Sequence, residues 1–214
     1  MRLRQVIVVL RDAVGRDLLP HHAALISASA IDAEVRDDRG YYTATTSEQL
    51  ASLGFAATQI RVPALVVPIY GPSGNLAGHQ VRPDHPRIVD GKPVKYETPA
   101  RGRPHLDVPP RVRHLIDDPG RTLIVTEDIR KADAVATKGL CCMGLLGVWG
   151  WRGRNDQGHT APLGDWAEVA LRGRAAYIAF DSDGSRKPGV RSTCAAARGC
   201  RLPARPACNA MASR

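Results

Sequence analysis

The sequence predicts an α/β fold in which a parallel sheet with flanking helices follows a mixed helical and β-hairpin N-terminal region. Three observations support this prediction. Apolar residues recur at helical spacing before residue 60, two apolar runs flank a Gly-Pro-Ser-Gly turn within 64–84, and short apolar runs alternate with helical patterns from residue 121 onward. Strands that alternate with helices pair in parallel through right-handed crossovers.

The composition is that of a globular chain with a strongly basic balance. Of the 214 residues, 43% are hydrophobic and 24% are charged, which is enough to bury a sizeable core. The formal net charge of +9 favours an anionic partner, most simply nucleic acid. The basic residues are mostly arginine and are spread along the chain, a bias that a GC-rich genome also produces.

No segment is typical of a targeting signal or a membrane span. The apolar core of the N-terminal run covers only residues 6–10, which is too short for a signal peptide. The five cysteines form no C-x-x-C pair, and the adjacent Cys141 and Cys142 are expected to be buried thiols. We therefore predict a reducing, cytoplasmic location and no membrane partner.

The N-terminal part is expected to contain helices over 21–31 and 47–55, separated by a turn and a short exposed strand. The hairpin at 64–84 follows, and the segment 91–99 is expected to add a third strand. Residues 97–120 are rich in proline, arginine and aspartate, a composition typical of a linker that lies over the surface.

The predicted order from residue 121 onward is strand, helix, strand, helix and strand. The helix after the first strand is closed by Gly139, a typical helix-ending residue. The segments concerned are 121–128, 129–139, 140–151, 162–174 and 175–183.

Acidic residues end two of these strands. Glu127 follows the first, and Asp181 and Asp183 follow the third. Residues two apart in a strand point to the same face, about 7 Å apart, so both aspartates reach one ion if the chain bends at Gly184. Ligands bind at the carboxyl ends of strands in such sheets, and three carboxylates suit Mg²⁺ or Mn²⁺. The alternative is a solvated Asp-x-Asp-Gly turn without a metal.

This order of motifs resembles the Toprim domain of DnaG-type primases and topoisomerases, and the segment 67–99 resembles the primase core. More closely, residues 21–190 resemble an uncharacterised Toprim-like domain family. Its members occur in replication proteins of plasmids, phages and integrated elements, often next to a helicase. The segments that carry the resemblance are RGY, LGF, RPD, KYE, TE-x-x-RKADA, GVWGW and FDSD.

The resemblance implies roles for individual residues. Glu127 matches a glutamate thought to act as general acid or base and to help hold metal, and Asp181 and Asp183 match the metal-binding pair. Arg82 and Lys95 match basic positions that face nucleotide or template phosphate, with plain surface residues as the alternative.

Three further basic residues are placed by the sequence near the acidic edge. Arg130 and Lys131 begin the helix after Glu127, where a phosphate can meet the helix N-terminus, and Lys187 follows the aspartate pair. A solvated face is the alternative. Trp149 and Trp151 have two interpretations, base stacking and ordinary packing, and the seven histidines are assigned no role.

The chain departs from the Toprim pattern at two places. Asp128 stands where glycine usually follows the glutamate, and we interpret it as an extra ligand or as a residue that disfavours phosphate. After residue 191 no strand is predicted, although a complete Toprim fold needs another helix and strand. A frame shift or cut gene is the hypothesis, and a divergent tail is the alternative.

The predicted divisions are an extension 1–20, a primase-core-like region 21–118, a C-terminally incomplete Toprim-like domain 119–191 and an irregular tail 192–214.

The predicted function is replication-associated, Mg²⁺-dependent handling of nucleic acid or nucleotides. The resemblance implies primase-type nucleotidyl transfer with a partner helicase, because the sequence shows neither a zinc ribbon nor a P-loop. Two alternatives stay open: a catalytically inactive DNA-binding module or truncated remnant, and a Toprim-type nuclease.

Overall fold

The structure, a computed structural model, describes residues 17–181. The N-terminal part is an antiparallel sheet of strand order β1-β2-β3 with three helices and a separate two-stranded hairpin, β4-β5. Its elements are α1 (Pro20–Ala28), α2 (Ala33–Arg39), β1 (Tyr42–Ala44), α3 (Ser47–Ser52), β2 (Ala64–Tyr70), β3 (Leu76–Pro83), β4 (Ile88–Val89) and β5 (Lys92–Pro93).

The C-terminal part is a parallel sheet of strand order β10-β6-β7, with a second hairpin, β8-β9. The described chain also contains 3₁₀ turns at Ala57–Gln59, Pro110–Leu115 and Gly164–Glu168. The elements of this part are β6 (Leu123–Thr126), α4 (Ile129–Ala136), β7 (Cys142–Gly144), β8 (Arg152–Arg154), β9 (Thr160–Pro162) and β10 (Ala176–Ile178).

The α/β fold class is confirmed, together with the hairpin of β2 and β3 and the three parallel strands. Local signals explain these elements. The helix after β6 ends as predicted, with Gly139 at a φ of +67°. Asp32 caps α2 by accepting the Val35 N–H, and Thr46 forms a capping box with Gln49 at the start of α3.

The two sheets share one hydrophobic core. The cluster between them contains Ile26 of α1, Val35 of α2, Val67 of β2 and Ala132 of α4. The alternate residues of β2 that point away from this cluster pack with α3 in a second cluster. The face of the parallel sheet that points away from the shared cluster packs against residues 106–116 in a third. Helices of the N-terminal region therefore support α4, the helix that follows the first acidic strand end.

A buried arginine ties these elements together. Arg39, fully buried at the end of α2, donates from Nη2 to Asp107 Oδ2 at 2.9 Å and from Nε to Asp133 Oδ2 at 3.0 Å. The Tyr41 hydroxyl also donates to Asp133, and Arg39 Nη1 donates to the carbonyl of Pro68. One guanidinium thus connects α2, β2, α4 and the chain before β6.

Because two buried carboxylates share one guanidinium, this cluster makes stability depend on pH. Burial raises the pKa of Asp107 to about 6 from 3.8, against the opposing effect of Arg39. Between these values the folded state binds the proton more tightly than the unfolded state, so the Asp107 contribution to stability falls as the pH rises from about 4 to about 6. The shift corresponds to about 3 kcal/mol.

The substitution Asp107→Asn should remove this dependence because the amide stays neutral. Urea unfolding at several pH values is expected to show the stability difference between wild type and variant changing by about 3 kcal/mol across that window. The exposed Asp118→Asn variant serves as the control. Parallel stability curves for wild type and Asp107→Asn would contradict the prediction.

The short strand expected to be exposed is buried. Thr43 of β1 is 3% exposed, and β1 pairs with β2 in the shared sheet. Its hydroxyl oxygen lies 3.0 Å from the Leu19 nitrogen, from which it accepts, and 2.7 Å from His22 Nδ1. The polar residues around β1 suggested exposure, because the sequence does not show that Thr43 has hydrogen-bond partners more than 20 positions away.

The predicted surface linker at 97–120 is also wrong. Residues 106–108 are buried, and Asp107 exchanges two backbone hydrogen bonds with Gly144 at the end of β7. The composition was misleading because Asp107 is buried beside Arg39 and not solvated.

Two other predicted elements are only partly formed. In the predicted third strand at 91–99, Lys92–Pro93 pairs with β4 and Glu97 forms one bridge with Val81. The prolines at 93 and 99 lack the N–H that a longer ladder needs. The helix predicted at 162–174 is a 3₁₀ turn over Gly164–Glu168, and the flanking residues Leu163 and Val169 are buried in the core around the parallel sheet.

Candidate functional site

The carboxyl ends of two neighbouring parallel strands bring two acidic residues together. β10 pairs with β6 in parallel, with Ile178 opposite Val125. Glu127 follows β6 and Asp181 follows β10, and the Asp181 N–H donates to Glu127 Oε1 at 3.1 Å. These two predicted site residues therefore meet at one edge of the sheet. Asp183, the third predicted ligand, lies outside the described residues.

A lysine bridges the two carboxylates. The ammonium of Lys131, in the first turn of α4, donates to Glu127 Oε1 and to Asp181 Oδ1. Burial lowers the pKa of Lys131, but hydrogen bonds with Asp181 and Glu127 outweigh it and hold the pKa above the ordinary value. Lys131, predicted to face a phosphate, therefore lies as a charged partner between the acids.

The donor set fits a hard divalent cation. The Glu127 side chain is 13% exposed, and its Oε2 is buried without a hydrogen-bond partner among residues 17–181. Asp181 is 68% exposed, so its carboxylate faces solvent at the rim. Carboxylate oxygens of this kind are ligands that Mg²⁺ takes, usually from one or two residues. The buried Oε2 would gain a partner from such an ion.

Asp128 acts as a helix cap. Its Oδ1 accepts the Arg130 N–H at 2.7 Å, and its φ of −146° is extended backbone that any residue adopts. The glycine expected at this position is therefore not needed by the turn. Because the capping carboxylate uses an N–H at the start of α4, it competes there with a phosphate.

Two predicted basic residues converge on one aromatic ring. The guanidinium groups of Arg82, on β3, and Arg130, on α4, lie 5.8 and 5.2 Å from the centre of the Tyr96 ring. Arg130 also donates to Ser29 Oγ at 3.1 Å. Lys95 is exposed beside this cluster, and Lys187 lies outside the described residues. The structure thus joins Arg82 to Arg130 across 48 positions of sequence.

A histidine cluster was missed by the sequence reasoning. His21 Nε2 and His22 Nε2 each lie 2.9 Å from one oxygen of Asp84, and burial lowers the pKa of His22. The ligand atoms lie within 4.8 Å of one another, close enough for a metal ion. In the structure each imidazole faces a separate carboxylate oxygen, which joins α1 to the end of β3. The partners are over 60 positions apart, so no local spacing signals them.

The described residues have the fold of DnaG-type primase catalytic cores. One similar structure is the Aquifex aeolicus primase with its zinc-binding and RNA polymerase domains, at 17% identity and a TM-score of 0.51, covering 88% of this chain and 49% of that chain. A second is the DnaG catalytic core, at 14% identity and a TM-score of 0.55, and the match covers 83% of this chain and 60% of that chain. A third is the RNA polymerase domain of Mycobacterium tuberculosis primase DnaG, at 16% identity and a TM-score of 0.54. This match covers 86% of this chain and 67% of that chain.

The family resemblance is confirmed for residues 113–212, which match the family described as domain of unknown function (DUF3854). This segment includes both acidic strand ends and runs through most of 192–214. The chain spans from about half to two thirds of the length of the three primase structures. No curated protein is a significant match. None of the helices between residues 17 and 181 has the length and apolar character needed to cross a membrane.

Proposed function

We propose that this chain is a replication-associated, primase-like domain that handles nucleic acid or nucleotides in a Mg²⁺-dependent or Mn²⁺-dependent reaction. The observation that carries the proposal is the meeting of Glu127 and Asp181 at the carboxyl ends of adjacent parallel strands. The net charge of +9 supports an anionic ligand. A DnaG primase catalytic domain bound to ssDNA shares the fold, at 14% identity and a TM-score of 0.52.

In this proposal Glu127, Asp181 and Asp183 hold the metal ion, which supplies a Lewis acid for a phosphoryl oxygen. The Glu127 carboxylate also takes a proton from, or returns one to, a reacting hydroxyl. With the carboxylates engaged by metal, Lys131 is free to turn towards a phosphate.

The remaining predicted basic residues have a positioning role in the proposal. Arg82, Lys95, Arg130 and Lys187 contact phosphate groups, which orient a nucleic acid without reading its sequence. A helicase partner supplies DNA unwinding.

The first test is calorimetric titration of the full chain with Mg²⁺. Wild type is expected to show one saturable site, and Asp181→Asn is expected to weaken binding about tenfold or more because a charged ligand becomes neutral. Lys131→Met, which removes the competing ammonium, is expected to bind Mg²⁺ more tightly. Asp90→Asn alters an exposed carboxylate elsewhere and is the control. Absence of saturable binding to the folded wild type would refute the metal site.

The Lys131 bridge favours a second candidate, a catalytically inactive DNA-binding module, because its ammonium already neutralises the carboxylates. Such a module binds DNA equally well in the presence of a chelator and shows no chemistry. Primase-type transfer requires nucleoside triphosphates, whereas a Toprim-type nuclease degrades DNA with metal alone. Incubation with Mg²⁺ distinguishes the three when labelled DNA is used to detect degradation and labelled nucleoside triphosphates with unlabelled DNA are used to detect incorporation.

A further inference from the structure

The exposed tryptophan of the segment 147–152 is unlike the two other tryptophans of the chain. Trp151 and Trp166 are partly buried against the core of the parallel sheet, and Trp166 Nε1 donates to the Trp151 carbonyl at 2.9 Å. Trp149 is 41% exposed. Ordinary packing, one of the two interpretations of these tryptophans, therefore applies to Trp151. Base stacking stays open for Trp149, whose ring is partly exposed to solvent.

Arginine holds the exposed ring in place. The Arg152 guanidinium lies over the Trp149 ring at 4.2 Å from its centre and over the Trp151 ring at 5.4 Å. A cation at this distance is attracted to the face of an indole and limits its motion. The result is an aromatic surface backed by a positive charge and attached to the packed Trp151.

The turn that carries Trp149 is attached to the acidic edge. The Gly147 N–H donates to the Glu127 carbonyl at 3.0 Å, and the Gly150 N–H donates to the Gly147 carbonyl at 2.9 Å. A Cβ at Gly150 would lie 2.6 Å from the Leu146 nitrogen, so only glycine closes this turn. Trp149 is therefore held two residues from a direct backbone contact with Glu127.

We propose that Trp149, positioned by Arg152, is a stacking site for an unpaired nucleobase of single-stranded nucleic acid at the acidic edge of the sheet. This inference rests on the proposed function, in which that edge receives nucleic acid. An aromatic face accepts any base through stacking, and a neighbouring arginine adds attraction to the base and its phosphate. A base in a duplex is already stacked and offers no free face.

Nucleic acid is favoured over a protein partner by charge and position. Arg152 and the exposed Arg154 place positive charge beside the ring. The whole chain is basic, and the carboxyl edge of a parallel sheet is where such folds bind ligands. Tryptophan and arginine also occur at the centres of protein interfaces, so self-association is one outcome that the test must recognise.

The experiment measures binding of the full chain to a short labelled single-stranded oligonucleotide by fluorescence anisotropy, with chelator present. Trp149→Ala is expected to weaken binding by about 5- to 150-fold. Trp149→Phe should retain most of the affinity because it keeps an aromatic face. Leu140→Ala, which truncates another exposed apolar side chain, is the control and should bind as wild type does. Binding to a duplex of the same sequence should change little in Trp149→Ala.

Chelator separates this proposal from the metal-dependent reaction, since stacking needs no ion. If the wild type shows no reaction in Mg²⁺ but Trp149→Ala still weakens single-stranded binding in chelator, the proposed function is refuted and the stacking site is not. Wild-type affinity in Trp149→Ala overturns the stacking site, and so does an equal loss of single-stranded and duplex binding. Unchanged DNA binding together with a smaller oligomer by sedimentation overturns it in favour of a protein interface. Circular dichroism confirms that each variant is folded.

Discussion

Replacing Arg39 by methionine is expected to destabilise the protein by about 3–5 kcal/mol at neutral pH, a loss that can prevent folding. Methionine fills much of the same space but leaves Asp107 and Asp133 buried without their guanidinium partner. The hydrogen bond from the Arg39 guanidinium to the Pro68 carbonyl, which connects the end of α2 to β2, is lost as well. The measurement is the free energy of unfolding from urea titration, compared with Arg61→Met, whose arginine is exposed.

The pH dependence of this loss distinguishes charge from packing. Burial raises the pKa of both Asp107 and Asp133, and removing Arg39 withdraws the main influence that lowers them. Both carboxyls can then be protonated in mildly acidic solution, so the destabilisation should be smaller at pH 5 than at pH 8. A loss of equal size at both pH values would mean that the arginine acts through packing alone.

Much of the parallel sheet was predictable because its signals are local. The apolar run before Glu127 and the one before Asp181 each mark a strand with an acidic end, and Gly139 marks the end of the helix after the first strand. Only the first of these strands is largely buried, because β10 lies at the edge of the sheet and exposes Tyr177. Adjacency of the two strands does not follow from either run alone. It required the inference that strands alternating with helices pair in parallel, which the register of β6 and β10 confirms.

The failures of sequence reasoning concern polar residues whose partners are distant. Arg39 and Tyr41 belong to the segment RGY, and both bind Asp133 of the segment RKADA, more than 90 positions away. Asp107 completes this cluster from a segment that looked like a surface linker. Composition assigns such residues to solvent, because only the fold shows that each buried charge has an opposite charge beside it.

The meeting of Glu127 and Asp181 could be predicted from the sequence, but the contacts of Lys131 could not. The sequence placed Lys131 near a phosphate, four residues after Glu127 on a helix. Whether a lysine at that spacing reaches the carboxylate or solvent depends on the side-chain geometry at the sheet edge. In the structure the Lys131 ammonium donates to Glu127 and also to Asp181, which follows the neighbouring strand β10.

Glu127→Gln is expected to lower the Mg²⁺-dependent reaction rate on nucleic acid or nucleotides by about 10²- to 10⁴-fold, the range of a lost general acid or base. Glutamine keeps the size of the side chain and still accepts the Asp181 N–H. It removes the proton-transfer group and one negative charge from the metal ligands. Lys131 keeps its ion pair with Asp181 in this variant, so the chain is expected to remain folded.

The measurement is the initial rate of nucleotide incorporation or DNA degradation at saturating Mg²⁺, whichever reaction the wild type performs. Glu168→Gln, a change of an exposed glutamate on the 3₁₀ turn before β10, is the matched control and should react at the wild-type rate. Raising the Mg²⁺ concentration should not rescue Glu127→Gln if the carboxylate transfers a proton, whereas a residue that only holds metal would be rescued. A wild-type rate in Glu127→Gln would refute the proton-transfer role of Glu127. A folded wild type without any reaction would leave the carboxylates as a charge pair for Lys131 and would favour the binding module.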